Sequence, residues 1–223
     1  SRLWLDRVAR WCGVAALAIG VVVMAAWILN VAPLRLGIPG MEAPKFNGAL
    51  GLVLLGGALL AGHVRGRSRR VEIAVTVVSG AVFVLGGVTT LEYLANADLG
   101  IDQLVVAERG GEAGEASHPG RMSPITAVSL MLCALGCAGL VRAHGRRQLL
   151  SIPALLAVVT VGLSAVSLSG YLSGVPTAYG WGSGTQQAVL AALALAVLGA
   201  GIFSASYCAA TERDSAVPGW VPI

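Results

Sequence analysis

HPGRMSPITAVSLMLCALGCAGLVRAHGRR, residues 118–147, passes from a polar stretch through a basic residue and a Ser-Pro pair into an apolar run, and ends in an arginine-bearing bend. Proline is tolerated in the first turn of a helix, where its missing N–H would lack an intrahelical partner anyway. Ser123, or the Thr126 hydroxyl, can cap the free N–H groups of such a start. Arg121-Met122-Ser123-Pro124 therefore opens a helix at about 124. Nothing charged follows until Arg142, near the length needed to cross a ~30 Å hydrocarbon layer.

The rest of the chain matches this stretch. Of 223 residues, 56% are hydrophobic and only 12% charged, with a mean hydropathy of +0.80. A soluble domain carries about 25% charged residues. Aromatics supply 5%, so Ala, Val, Leu and Gly make up the apolar mass, the composition of close-packed membrane helices. Six runs are long enough to span: about 11–30, 47–63, 71–95, 124–142, 149–173 and 186–207. None alternates with the period of two that a barrel strand needs. The first run follows Arg2, Arg7 and Arg10, but it exceeds a signal-peptide core and lacks an A-x-A site, so it reads as a retained span.

Orientation follows from the basic residues. Arg2, Arg7, Arg10, Arg65, Arg67, Arg69, Arg70, Arg142, Arg146, Arg147 and Arg213 share one side if six spans alternate. Arg35, Lys45, Arg109 and Arg121 fall on the other. The positive-inside rule puts the first group, and both termini, in the cytoplasm. Residues 1–10 are then a cytoplasmic segment, 11–207 the membrane domain, and 208–223 a cytoplasmic tail or linker. The long outer loop, 96–123, divides into ADLGIDQLVV, read as a short interfacial helix, and a solvated Gly/Ala/Glu-rich connector with Glu108, Glu112 and Glu115. A net charge of +4 spread over short loops, with no basic face, excludes a nucleic-acid surface.

The spans also repeat one another. Even-numbered spans align on Ala49, Ala127 and Ala188, and odd-numbered spans end in MAAWIL (24–29), TTLEYL (89–94) and SLSGYL (167–172), each with an aromatic before an outer loop. The expected fold is all-α: a six-helix transmembrane bundle of three repeated helical hairpins. Its Gly/Ala helix faces suit a homodimer as well as internal packing.

Catalytic motifs are lacking: no GxxxxGK[ST], HExxH or GxSxG occurs. His63, His118 and His144 read as loop histidines, and Cys133 and Cys137, four apart on one helix face, as packing residues; neither set implies a metal or cofactor. The ionisable groups near the outer boundary carry more. Glu92 lies in the last turn of its span, where a carboxylate is costly unless paired. Asp102 and Gln103 interrupt an apolar stretch, and Arg121 precedes a span. Glu92 or Asp102 is expected to pair with Arg121 and pin the long loop to the bundle. Tyr93, Thr126 and Tyr171, at neighbouring helix ends, complete the candidate ligand or loop-pinning set.

LGIDQLV at 99–105 and PGRMSPITA at 119–127 resemble the multi-spanning N-terminal membrane region of bacterial sensor proteins that continue into PAS domains and a histidine kinase or diguanylate cyclase. Asp102, Gln103, Arg121, Met122, Pro124, Thr126 and Ala127 match that pattern, while Ile125 stands where asparagine is common. The resemblance is strongest over 89–140. It implies an input module in the bacterial inner membrane that passes an outer-face or intramembrane stimulus to a cytoplasmic output, with the bilayer as its first partner. YCAATERDSAVPGWVPI contains no such output, so the chain reads as a cut membrane domain or a stand-alone relative. A small transporter or channel is the alternative, followed by an assembly subunit and then a membrane enzyme or haem protein.

Overall fold

A computed structural model describes residues 2–31, 42–64, 66–103, 105–106, 119–143, 147–181 and 185–211. These form six α-helices: α1 Arg2–Ile28, α2 Phe46–Gly62, α3 Arg69–Ala95, α4 Pro124–Arg142, α5 Ser151–Ser173 and α6 Val189–Thr211. Short 3₁₀ turns occupy Arg147–Leu150 and Pro176–Ala178, and no strand occurs among the described residues. All but α2 are long and apolar enough to cross a membrane; α2 has 17 residues, about 25 Å at 1.5 Å per residue.

Sequential helices pack most extensively, α1 on α2, α3 on α4 and α5 on α6. The even-numbered helices also touch one another, while α1 leans on α6, α3 on α2 and α5 on α4. The result is an inner triangle of α2, α4 and α6 inside an outer set of α1, α3 and α5. Leu52, Leu55, Leu130, Cys133, Leu195 and Leu198 fill the centre.

The outer helices are inverted relative to a soluble protein. The buried residues of α3 are Val75, Ser79, Val82, Gly86, Thr89 and Glu92, and those of α5 are small or hydroxyl-bearing, with Ser164 and Ser167 fully covered. Their exposed faces carry Val77, Val84, Leu91 and Leu94, and Leu155, Val158, Val166 and Leu172. In water such faces would be an aggregation surface. In lipid, which gives apolar side chains no reason to hide, small residues belong at the helix contacts and bulky ones outside. Close approaches bear this out: a Cβ added at Gly86 would lie 2.7 Å from the Ala127 carbonyl oxygen, and one at Gly56 2.8 Å from the Leu17 nitrogen.

Helix ends follow local chemistry. Ser123 Oγ accepts from the Thr126 N–H at 3.1 Å and Pro124 takes the first turn, so α4 starts as its sequence directs. Asn30, Asn96 and Gly174 adopt left-handed conformations just beyond α1, α3 and α5, the usual way to end a helix and turn the chain.

Residues 2–10 form the first turns of α1, where Leu3, Leu5, Val8 and Ala9 extend the apolar pattern among the arginines. Two expectations are corrected. No helix forms at 99–106 among the described residues: Gly100 has a φ of +71°, and Asp98 accepts its N–H at 2.9 Å, closing a turn. Ala188, expected to align with Ala49 and Ala127, does not hold the same helix position as they do. The latter two donate the first helical hydrogen bonds, to Lys45 and Ser123, and Ala192 donates the matching one, to Ala188. The expected register set Ala188 one turn before that position, in an alanine-rich run where Ala188 and Ala192 stand four residues apart.

Candidate functional site

Arg121, one residue before the Met122–Ser123 lead-in to α4, is 1% exposed. Its position depends on Gly120, whose φ is +77° and whose hypothetical Cβ would lie 2.9 Å from the Asp102 carbonyl oxygen; glycine alone meets both demands. From there Arg121 Nε donates to Asp102 Oδ2 at 2.6 Å, and Nη2 donates to the Ala97 carbonyl at 3.1 Å. Glu92 Oε2 lies 3.5 Å from Nε, and Asp98 Oδ1 3.8 Å from Nη2. The guanidinium carbon stands 5.3 Å from the centre of the Tyr93 ring, within cation–π range.

Glu92 reaches this group because α3 ends beside it. Its Oε1 accepts from the Leu99 N–H at 2.8 Å, tying the turn after Asn96 back onto the helix. Glu92 is 0% and Asp102 6% exposed, whereas the Asp98 side chain is 78% exposed. Two buried carboxylates thus face one buried guanidinium, with a third at the rim. Burial opposes the charge on Arg121, but the Asp102 hydrogen bond and the charges of Asp102 and Glu92 outweigh it, and the Arg121 pKa stands above the ordinary arginine value. Among the described residues, Glu92 Oε2, Asp102 Oδ1 and Arg121 Nη1 make no hydrogen bond. Glu92, Asp98 and Asp102 each offer an oxygen within 4.8 Å of the others. The cation they surround is already Arg121, which occupies the ground a metal ion would need.

The other candidates fall around this centre or away from it. Tyr93 donates its hydroxyl proton to the Met122 carbonyl at 3.1 Å, joining α3 to the start of α4. Thr126 belongs to the α4 cap, bonded to Ser123 Oγ at 2.9 Å, rather than to the charged group. Gln103 is exposed and reaches the Pro119 carbonyl only weakly, at 3.4 Å. Tyr171 lies in another hairpin, where its hydroxyl donates to the Gln187 carbonyl at 2.6 Å and its ring stacks on Tyr179 at 3.8 Å. Trp27 Nε1 makes the corresponding bond to the Pro44 carbonyl at 2.9 Å.

Asn47 was missed. It is 4% exposed, and its Nδ2 donates to the Ile101 carbonyl at 3.1 Å, so α2 also grips the Asp102 segment. A lone amide in the first turn of an otherwise apolar helix was the available signal. At the opposite bundle end, His63 Nε2 meets Asp6 Oδ1 at 2.8 Å, while Arg67 donates to the Gly62 and Val141 carbonyls at 2.9 and 3.2 Å, joining the C-terminal ends of α2 and α4. Cys133 and Cys137 lie in the core, their thiols directed at Thr160 Oγ1 and the Leu55 carbonyl. His118, His144, Glu108, Glu112 and Glu115 lie outside the described residues. Among known proteins, no family model, curated protein or solved structure matches this chain.

Proposed function

We propose that the chain is the membrane-embedded input module of a bacterial signalling protein. In this reading it is a multi-pass protein of the cytoplasmic membrane whose six spans, α2 included, form three consecutive hairpins of one design, with both termini cytoplasmic. Support for the repeat comes from equivalent contacts in register. Trp27, Tyr93 and Tyr171 each stand three residues before a left-handed residue, Asn30, Asn96 or Gly174. Each donates to the carbonyl two residues before the next helix: Pro44, Met122 or Gln187. Seven residues before those aromatics come Gly20, Gly86 and Ser164. A Cβ on Gly20 would lie 2.8 Å from the Ala49 carbonyl oxygen, as one on Gly86 would lie 2.7 Å from that of Ala127. With Ala192 as the third register point, Gly56, Ala134 and Gly199 follow at equal spacing.

One observation carries the signalling reading. The two segments bearing the sensor resemblance, 99–105 and 119–127, meet through Arg121 and Asp102 against the end of α3. That contact forms a charged latch between a polar segment and the helix bundle. A stimulus with different affinities for the closed and open latch would shift their populations and move the start of α4.

The chain joined beyond Thr211 to a histidine-kinase module in bacterial membranes tests this. Autophosphorylation should depend on the membrane module, and Arg121→Gln should change it at equal membrane abundance. Output indifferent to that substitution, or solute flux through the purified protein in proteoliposomes, would overturn the signalling reading.

A further inference from the structure

The exposed side of α1 changes character at its start. Val14, Ala18 and Val21 belong to an apolar strip along the membrane span, and the same strip begins with Trp4, Arg7 and Trp11. Residues three and four apart are neighbours on a helix surface, so Arg7 lies between two indoles that are 66% and 70% exposed. Its depth follows from the pairing of α1 with α2. A Cβ on Gly20 would meet the Ala49 carbonyl oxygen, and one on Gly13 would approach that of Gly56. In the same antiparallel register Asp6 meets His63, the residue just past α2. With 17 residues, α2 is about 25 Å long, shorter than a ~30 Å hydrocarbon layer. Its last turn therefore lies at the hydrocarbon edge, and Arg7, beside Asp6, lies among the lipid phosphates. From Arg7 to Trp27 the helix rises about 30 Å, one layer thickness. The Arg7 charge is not met by protein. Asp6 places Oδ2 2.9 Å from Arg10 Nη2 and Oδ1 2.8 Å from His63 Nε2. No carboxylate pairs with Arg7 among the described residues.

We propose that this strip binds one anionic phospholipid, with its phosphate on the Arg7 guanidinium and an acyl chain along Val14, Ala18 and Val21. A guanidinium takes a phosphate diester through two parallel N–H···O bonds. At the membrane edge, partly out of water, such a pair is screened less than one in solution. Trp4 and Trp11 stand about one turn outside and one turn inside that level, where interfacial indoles sit. Their ring N–H groups need acceptors, and the phosphate and ester oxygens of the same lipid supply them. Charge selects the headgroup. A choline or ethanolamine headgroup carries its own cation, and Arg7 has no idle carboxylate beside it to receive one, because both Asp6 oxygens are engaged. A glycerol headgroup carries none. The apolar continuation of the strip suits a lipid rather than free phosphate. A second copy of the chain fits poorly, since a two-fold pair in one membrane would set Arg7 against Arg7. The site depends on α1 as a membrane span and not on the signalling reading.

The full chain is placed in nanodiscs of phosphatidylglycerol and phosphatidylcholine in equal parts, released into uncharged maltoside and weighed by native mass spectrometry. Each chain should retain one phosphatidylglycerol, in roughly tenfold preference to phosphatidylcholine, the scale of one charged hydrogen bond. Arg7→Gln should abolish that preference. Arg70→Gln removes an exposed charge from the start of α3 at the same membrane face and should leave the preference unchanged. An equal loss in both variants shows a diffuse basic face without a site and overturns the proposal, as does a preference that survives Arg7→Gln. Equal retention of the two lipids by the parent chain overturns it without any variant, so the test stands even where Arg7→Gln fails to insert. A dimer mass that vanishes when Trp4→Ala and Trp11→Ala are combined assigns the strip to a second copy and likewise overturns the lipid.

Discussion

Arg121→Gln removes the guanidinium that Glu92 and Asp102 both face, leaving two carboxylates at 0% and 6% exposure with no charged partner among the described residues. Taking one member from a buried ion pair costs about 3–5 kcal/mol, because the remaining charge is stranded in a poorly solvated place. At about 2–4 °C per kcal/mol for a chain of this size, the midpoint of thermal unfolding should fall by roughly 6–20 °C. Near-ultraviolet circular dichroism in a mild uncharged detergent, with size-exclusion as a second probe, reads that change. The geometry also ranks the partners. Asp102 holds the 2.6 Å bond, whereas Glu92 stands 3.5 Å away and keeps its Leu99 bond through Oε1. Glu92→Gln relieves one surplus negative charge and should be close to neutral, while Asp102→Asn should be clearly destabilising. Arg121→Gln combined with Asp102→Asn should lose much less than the two single losses added. A midpoint within about 1 °C of the parent for Arg121→Gln, or additivity within about 0.5 kcal/mol, would refute the latch.

Tyr93→Phe and Tyr171→Phe each delete a hydroxyl that satisfies a helix-start carbonyl, and each should cost about 1 kcal/mol; Trp27→Phe should cost more because ring volume is lost as well. A loss confined to one of the three, measured as thermal midpoints, would break their equivalence. Gly86→Ala should destabilise by about 1–3 kcal/mol, since its Cβ meets the Ala127 carbonyl oxygen at 2.7 Å. Gly80→Ala and Gly162→Ala, with nothing within 4 Å, should be neutral or slightly stabilising through helix propensity. Val84, 61% exposed in the middle of α3, would be harmless as arginine in water but costs about 2.5–3.5 kcal/mol in a bilayer. Val84→Arg should therefore lower the membrane-inserted fraction measured by carbonate extraction, and an unchanged fraction would count against α3 as a span.

The helices were legible because burial in a bilayer leaves so little choice. An uncharged run must satisfy its own backbone hydrogen bonds, and the run after Ser123-Pro124 begins at Pro124 for the reason its sequence advertises. Arg121 as a partner of Glu92 and Asp102 was legible too, since isolated charges beside apolar runs have few places to go. The 99–106 stretch was not: its apolar spacing suggested a helix, but Gly100 and the pull of Arg121 on Asp102 outweighed that pattern. The grip of Asn47 on Ile101 joins residues 54 apart, and no local pattern encodes such a meeting. The burial of Lys45 was equally hidden, since only the convergence of helices distant in sequence covers its charge.

The distribution of polar contacts indicates which element could carry motion along the bundle. At one end of α4, Arg121, the Ser123 cap and the Tyr93 bond to Met122 hold the chain to α3 and to the Asp102 segment. At the other end, Arg67 binds carbonyls in the last turns of both α2 and α4, those of Gly62 and Val141. Between them α4 runs 19 residues, about 28 Å, through a core of Leu130, Cys133, Ala134 and Cys137. Those residues are buried and their thiols are directed at neighbouring oxygens, so that stretch has little freedom to bend. A rod held at both ends and packed along its length transmits a displacement of its start to its finish with little loss. If the chain is the input module proposed above, loosening Arg121 should be felt first at Arg67, on the side of the bundle where the positive residues gather, and only secondarily in α5, which meets α4 along its side.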